Sequence, residues 1–236
     1  MSHSRAFLVN VVGALAFVSV MLSSAQAATF DSTDNGWYRE VIFDHGPANT
    51  NIYTGDNIGR EFRSFLTFDL TSAAGMTVIS GTLTLFSGNG IFASPDPQET
   101  YRIFDYTGSI PDLVAGTGGS TAFDDLGTGS SYGQTVVNSP GQNLAMPTVT
   151  VALTAAALSD INTLLTGALF DFALGGVCTT CGMNQAFWSG SLGVPAGQLS
   201  LEFASVSPVP LPAALPLFIT VLAGMGFLRW WKRRAA

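Results

Sequence analysis

Between residues 28 and 207, apolar and polar residues alternate in short runs, and Gly, Asn, Asp, Pro or Ser separates one run from the next. A period of two places successive side chains on opposite faces of an extended strand. About nine or ten such runs follow one another without the strand–helix alternation of a parallel sheet. The sequence therefore predicts an all-β fold, an antiparallel β-sandwich of the jelly-roll type with one short helix.

The predicted strands fall on nine segments: GWYREVIF (36–43), FRSFLTFDL (62–70), TVISGTLTLF (77–86), TYRIFDY (100–106), YGQTVV (132–137), TVTVAL (148–153), LFDFAL (169–174), QAFWSG (185–190) and QLSLEF (198–203). In 62–70 the alternation places Phe62, Ser64, Leu66, Phe68 and Leu70 on the inner face, and Arg63, Thr67 and Asp69 on the outer face. In 77–86 it places Ile79, Leu83 and Leu85 inward.

The one predicted helix follows Thr154, whose hydroxyl can cap its first turn. Its apolar stripe consists of Leu158, Ile161, Leu164 and Leu165, and Gly167 suits the position after its C-terminus. Residues 115–133 are rich in Gly and Ser, which predicts a surface loop around a small FDDL turn.

Residues 1–27 have the three parts of a secretory signal peptide. Arg5 gives a positive start, residues 6–22 form an apolar run, and Ala25-Gln26-Ala27 is a small–x–small cleavage site. We expect export and cleavage after Ala27. An uncleaved anchor is the alternative, and Asn10 and Gly13 inside the apolar run weaken it.

Residues 208–236 also divide into three parts, namely a proline motif at 208–212, a transmembrane helix at 213–228 and a basic tail at 229–236. The uncharged run 211–228 would be about 27 Å long as a helix, close to the thickness of a bilayer core. Four cations would stop the chain on the cytoplasmic side, which predicts N-out, C-in topology; they are Arg229, Lys232, Arg233 and Arg234. A buried core helix is the alternative, and it does not account for the basic cluster.

Acidic residues dominate the region between these two ends. Only four arginines, at positions 39, 60, 63 and 102, accompany all sixteen acidic residues of the chain. Such a surface repels nucleic acid and anionic headgroups, so we expect no nucleic-acid partner.

The C-terminal segment resembles the PEP-CTERM sorting signal, because a proline motif, one apolar helix and an Arg-rich end follow in that order. Val209, Pro210, Leu211 and Pro212 begin the VPLPAA variant of the motif, in which Leu211 stands where the common form has Glu. The resemblance implies anchoring in the inner membrane and processing by an exosortase-type enzyme. It also implies a final place in the cell envelope or extracellular matrix, in association with exopolysaccharide and biofilm.

The segment RSFLTFDLTSAAGMTVISGTLTLF (63–86) is similar to exported β-sandwich modules of the DNRLRE and carbohydrate-binding type. FALGG (172–176) and AFWSG (186–190) resemble the closing strands of PEP-CTERM ectodomains. These resemblances imply a domain spanning residues 28–207 that binds extracellular polysaccharide.

Catalytic chemistry has little support in this sequence. His45 is the one histidine of the predicted mature domain, so a Ser–His–Asp triad would have to use it. The adjacent Asp124 and Asp125 are more typical of loop caps than of a glycosidase pair. We therefore predict no catalytic residue, metal site or cofactor. Ca²⁺ held by loop Asp and Asn oxygens is the alternative.

Cys178 and Cys181 are the only cysteines in the sequence. A thioredoxin-like redox pair needs a following helix N-terminus, and a zinc knuckle needs two further ligands that His45 alone cannot supply. A local disulfide in a tight loop requires only an oxidising compartment. The sequence therefore favours a Cys178–Cys181 disulfide.

Aromatic side chains at strands supply the candidate ligand contacts, because sugar rings stack on flat aromatic faces. Trp37, Tyr38 and Trp188 are the residues we select, and Trp37 and Tyr38 should point to opposite faces of one strand. The leading hypothesis is thus a non-catalytic surface or matrix protein that binds carbohydrate. The alternatives are a small polysaccharide-active enzyme, a hydrolase or a lyase, and a structural spacer.

Overall fold

The computed structural model describes residues 26–40, 51–86, 89–189 and 195–205. The predicted signal-peptide helix, His45, the sorting motif, the transmembrane helix and the basic tail lie outside these residues, except that Gln26 and Ala27 belong to the first described strand. The thirteen strands of the described part are β1 (Gln26–Asp31), β2 (Asp34–Arg39), β3 (Ile52–Asp56), β4 (Glu61–Asp69), β5 (Val78–Leu85), β6 (Ile91–Ala93), β7 (Gln98–Asp105), β8 (Ser131–Asn138), β9 (Leu144–Ala145), β10 (Val149–Ala152), β11 (Asp171–Cys178), β12 (Ala186–Ser189) and β13 (Gly197–Phe203).

These strands form two sheets, and every strand pair in the described ranges is antiparallel. The smaller sheet has the order β1-β13-β5-β10, and the larger has the order β8-β7-β11-β4-β3-β12-β6-β9 with β2 also paired to β4. One apolar core draws on both sheets, with Leu66 and Phe68 from the larger and Leu83 and Leu199 from the smaller. The prediction of an all-β, antiparallel sandwich is confirmed.

Three α-helices accompany the sheets in the described residues, so the prediction of a single helix is wrong. They are α1 (Ile110–Ala115), α2 (Gly119–Asp125) and α3 (Ala155–Leu165). None of these helices has the length and apolarity that a membrane crossing requires.

Helix α3 is the predicted one. The Thr154 hydroxyl accepts a hydrogen bond from the Ala157 N–H at 3.4 Å, as expected for the cap. Ile161 and Leu165 are buried in the core between the sheets, and the rest of the stripe is partly buried.

Helix α2 occupies the segment predicted to be a loop. Its sequence, GSTAFDD, has poor intrinsic helix propensity, so local pattern alone does not reveal it. The helix is instead supported by tertiary contacts. Phe123 is buried, and Arg63 donates hydrogen bonds to the carbonyls of Phe123 and Asp124 at 2.9 and 3.1 Å.

Strand β4 is buried on both faces, which the sequence analysis did not anticipate. Leu66 and Phe68 face the core between the sheets as predicted. On the opposite face, Phe65 is fully buried in a second cluster together with Leu113 of α1 and Leu126, which follows α2. The two short helices therefore cover the outer face of the larger sheet.

One predicted inward residue, Ile79, points outward instead. Its side chain is 52% exposed, whereas Val78 is buried. The pairing of β5 with β13 shifts between Glu202, which pairs with Ser80, and Phe203, which pairs with Val78. The extra residue at this irregularity reverses the alternation, because each residue of slip exchanges the two faces.

Candidate functional site

The predicted disulfide is present. Cys178 ends β11, and its sulfur is bonded to that of Cys181 across a two-residue loop. The loop continues beside β7, where the Thr179 N–H donates to the Thr100 carbonyl at 2.9 Å. The sequence holds two cysteines in total, so this pair accounts for all of them.

A buried carboxylate, Glu99 in β7, lies directly against this disulfide. Its side chain is 1% exposed, and it accepts hydrogen bonds from the Ser94 hydroxyl at 2.7 Å and from the Thr180 hydroxyl at 2.5 Å. The Glu99 Oε2 atom, which accepts the hydrogen bond from Thr180, lies 3.7 Å from the Cys178 Sγ. The sequence analysis missed Glu99, although the alternation of β7 places it on the same inward face as Tyr101.

Glu99, Cys178 and Cys181 also form the only group of three or more described His, Cys, Asp or Glu side chains that lie close enough together to share a metal ion. The two sulfurs are bonded to each other, and Ca²⁺ prefers oxygen ligands. This group therefore gives the calcium hypothesis no support, and that hypothesis stays a prediction.

An acidic cleft of about 360 Å³ opens beside the disulfide, and both cysteines line it. Glu40, Asp56 and Glu61 supply its carboxylates. Two of the three are engaged in the fold. The Asp56 carboxylate accepts the backbone N–H groups of Gly59 and Asn184 at 3.0 and 2.9 Å, and Glu61 forms an ion pair with Arg63 at 2.7 Å. The cleft thus brings acids together, as the enzyme hypothesis requires, but commits most of them to structural contacts.

A second concavity runs between the two sheets along strands β8 and β10. Each of these is a terminal strand in the order of its sheet, so each has one edge that pairs with no other described strand. The space between the two edges forms an open groove of about 500 Å³. At one end the edges meet, because the Thr154 N–H donates to the Tyr132 carbonyl at 2.8 Å.

The lining of this groove is uncharged and rich in hydrogen-bonding groups. Thr135, Asn138, Thr148 and Thr150 contribute hydroxyl and amide groups, and valine and proline side chains contribute apolar surface. Such a combination suits a neutral, hydroxylated ligand, since polar groups can bond the hydroxyls while apolar surface contacts the carbon skeleton. Sequence reasoning missed the groove because it is formed by two strands that are not paired with each other.

Tyr38, one of the predicted ligand contacts, is a core residue. It is 0% exposed, its ring packs 6.1 Å from that of Phe65, and its hydroxyl donates to the Leu113 carbonyl at 2.9 Å. The cover provided by α1 leaves Tyr38 no surface for a ligand. The structure therefore contradicts its assignment as a ligand contact.

Trp37 points away from Tyr38, as predicted for neighbouring residues of one strand. It is half-buried and packs edge-on against Phe62 and Tyr53, with ring centroids 5.1 and 6.2 Å away. Trp188 lies in β12 with its backbone paired to Tyr53, and its side chain is outside the description. Trp37 lines neither concavity.

A third group of acids consists of Asp105 at the end of β7, Asp125 at the end of α2 and Asp160 in α3. Burial raises the pKa of Asp105, and the nearby carboxylates of Asp125 and Asp160 raise it further. Each acid already has a partner in the chain. Asp125 accepts two backbone N–H groups of the 107–108 turn at 2.8 and 2.9 Å, and Tyr132 donates its hydroxyl to Asp160 at 2.9 Å. Asp125 therefore stabilises the 107–108 turn, although it lies in α2 and not in the loop predicted for it.

Comparison of the sequence with models of known protein families finds no match, and comparison with curated proteins finds none either. The resemblances drawn from short motifs therefore stand as expectations.

Proposed function

We propose that this chain is an exported, non-catalytic protein of the cell surface or extracellular matrix, whose β-sandwich domain is delivered by the C-terminal sorting signal. The formed disulfide supports export, because such bonds persist mainly in oxidising compartments. The jelly-roll topology and the DNRLRE-like resemblance belong to the same proposal.

The observation that carries this proposal is the position of the two ends of the domain. Ala28, the first residue after the expected cleavage site, lies in β1 and pairs with Leu201 of β13, the last strand of the domain. The chain thus enters and leaves the sandwich at adjacent positions. A tail beginning at residue 208 would hold the domain by that one end, which leaves the groove between β8 and β10 free for an extracellular partner.

Fractionation of cells tests the export step. The full-length chain carries an epitope after residue 236 and is expressed with and without an exosortase. With the enzyme, we expect the domain in the envelope or medium without the epitope, and without it we expect an intact chain in the inner membrane. A matched variant with Ser at Arg229, Lys232, Arg233 and Arg234 should be retained less well. Accumulation of the intact chain in the cytosol would contradict the proposal.

For the extracellular partner, the groove favours a neutral polysaccharide. Its lining contains hydroxyl, amide and apolar groups and no charged side chain, so neither burial of charge nor repulsion opposes a neutral chain. The two unpaired strand edges add backbone donors and acceptors along its length.

Binding to a panel of neutral polysaccharides checks this assignment. Replacing Asn138 or Thr150 with Ala should weaken binding about two- to tenfold each, the effect of one lost hydrogen bond. Thr121→Ala, at an exposed position on α2, should leave affinity unchanged. Equal affinity of all three variants and the wild type would remove the groove from the proposal.

A polysaccharide-active enzyme remains the second candidate, because Glu40, Asp56 and Glu61 line one cleft. Paired carboxylates are the minimum requirement for glycoside hydrolysis. Release of reducing ends or of unsaturated products from the same polysaccharide panel distinguishes this candidate. Release that is lost in Glu40→Gln would replace the non-catalytic proposal with the enzyme.

A further inference from the structure

Glu99 is a buried carboxylate with no cationic partner among the described residues. It is 1% exposed, and its hydrogen-bond donors, Ser94 and Thr180, are neutral hydroxyls. The only ion pair in the described ranges joins Arg63 to Glu61. Burying a carboxylate without a cation destabilises a fold, so this placement calls for a chemical role.

The Cys178 sulfur has two neighbours that suit exchange chemistry. The Cys181 N–H lies 3.1 Å from it, and the Glu99 Oε2 lies 3.7 Å from it. A backbone N–H stabilises the negative charge of a thiolate, which makes Cys178 the better leaving group of the pair. A carboxyl group at this position can give a proton to that sulfur or take one from it.

Access to the disulfide comes from the acidic cleft, which both cysteines line. Its volume of about 360 Å³ admits a small thiol or the side chains of a protein loop. Exchange requires approach of a thiolate to a sulfur, and the cleft brings a small thiol to the two cysteines.

We infer that the Cys178–Cys181 disulfide is a reversible exchange site for an external dithiol, with Glu99 as the group that transfers the proton of Cys178. A thiolate of the dithiol attacks the Cys181 Sγ, the disulfide breaks, and Cys178 leaves with the electron pair and takes a proton through Glu99. This leaves a mixed disulfide between Cys181 and the first sulfur of the dithiol. The second thiol of the dithiol loses its proton to water and attacks that first sulfur, and Cys181 leaves with the electron pair and takes a proton from water. The dithiol is thereby oxidised to a disulfide, and both cysteines become thiols.

Other titratable groups near the site are shared by every variant considered below. Glu40, Asp56 and Glu61 face the sulfurs across the cleft, and Asp96 lies beyond Gln185, whose amide donates to it at 2.9 Å. Tyr101, the register partner of Cys178, has its pKa raised by burial to about 12 and therefore stays neutral. Comparison of variants at each pH cancels these common contributions.

The test measures the rate at which dithiothreitol reduces the oxidised full-length chain, from pH 5 to 9, by alkylation and mass spectrometry. Both thiols released belong to this disulfide, since the chain has no other cysteine. Glu99→Gln, which preserves shape and removes proton transfer, should slow reduction about tenfold or more and flatten the pH profile. Glu202→Gln, at an exposed position of the smaller sheet, is the matched control and should behave as the wild type.

A second variant keeps the inference testable if Glu99→Gln fails to fold. Thr180→Val, at an exposed position, retains the carboxylate and removes the hydroxyl that donates to it. Its reduction should slow, because the Glu99 carboxyl group loses the hydrogen bond that holds it beside the Cys178 sulfur. An unchanged rate in Thr180→Val, an unchanged rate in Glu99→Gln, or wild-type reduction only at the rate of global unfolding in urea would overturn the inference.

Discussion

Replacing Phe65 with Ala should lower the free energy of unfolding of the domain by about 3–5 kcal/mol. Phe65 is fully buried on the outer face of β4, where it packs against the ring of Tyr38 and the side chains of Leu113 and Leu126. Truncation removes one of the three sheet residues, with Tyr38 and Ala173, that pack in the cluster under the helical cover. The short helices α1 and α2 cannot move freely to fill the cavity, because Arg63 and the β7–α1 turn hold them.

Urea denaturation followed by circular dichroism measures this loss. Ile58→Ala, which truncates a residue that is 80% exposed, is the control and should change stability little. A loss below about 1 kcal/mol for Phe65→Ala would show that the outer cluster contributes little, since even partial collapse of such a site leaves a larger cost.

The same strand shows how far the sequence predicts the fold. Strict alternation in β4 identifies Leu66 and Phe68 as inward residues, and the structure confirms it. Alternation cannot show that the other face is also covered, because the cover comes from α1 and α2, which follow in sequence more than forty residues later. Those helices are only six and seven residues long, so tertiary contacts rather than propensity determine them.

The candidate sites were less predictable than the fold for a related reason. The disulfide is local, and its cysteines are three residues apart. Glu99 reaches Cys178 only because β7 pairs with β11, across a sequence separation of 79 residues. The groove likewise depends on which strands end their sheets. A single sequence gives the faces of its strands but leaves their order across a sheet undetermined.

The order of the smaller sheet makes the last strand of the domain essential to it. Strand β13 lies between β1 and β5, and Leu199, Leu201 and Phe203 all project into the common core. In the described chain, β1 has no other strand partner, so it depends on β13 as well. The sandwich therefore cannot close before residue 203 is available for pairing, which for an exported chain means after nearly all of the domain has crossed the membrane.

Two truncated chains that both begin at Ala28 should therefore differ in whether they unfold cooperatively in urea. A chain ending at Ser205 keeps β13 and should unfold in urea with one cooperative transition. A chain ending at Ala196 loses β13, leaves β1 unpaired, and should show no cooperative transition, because the lost burial exceeds a typical total stability of about 5–15 kcal/mol. Leu201→Ala in the longer chain should cost about 2–5 kcal/mol while Glu202→Ala costs little, since only Leu201 is buried. Equal transition midpoints and slopes for the two truncated chains would refute this requirement for β13.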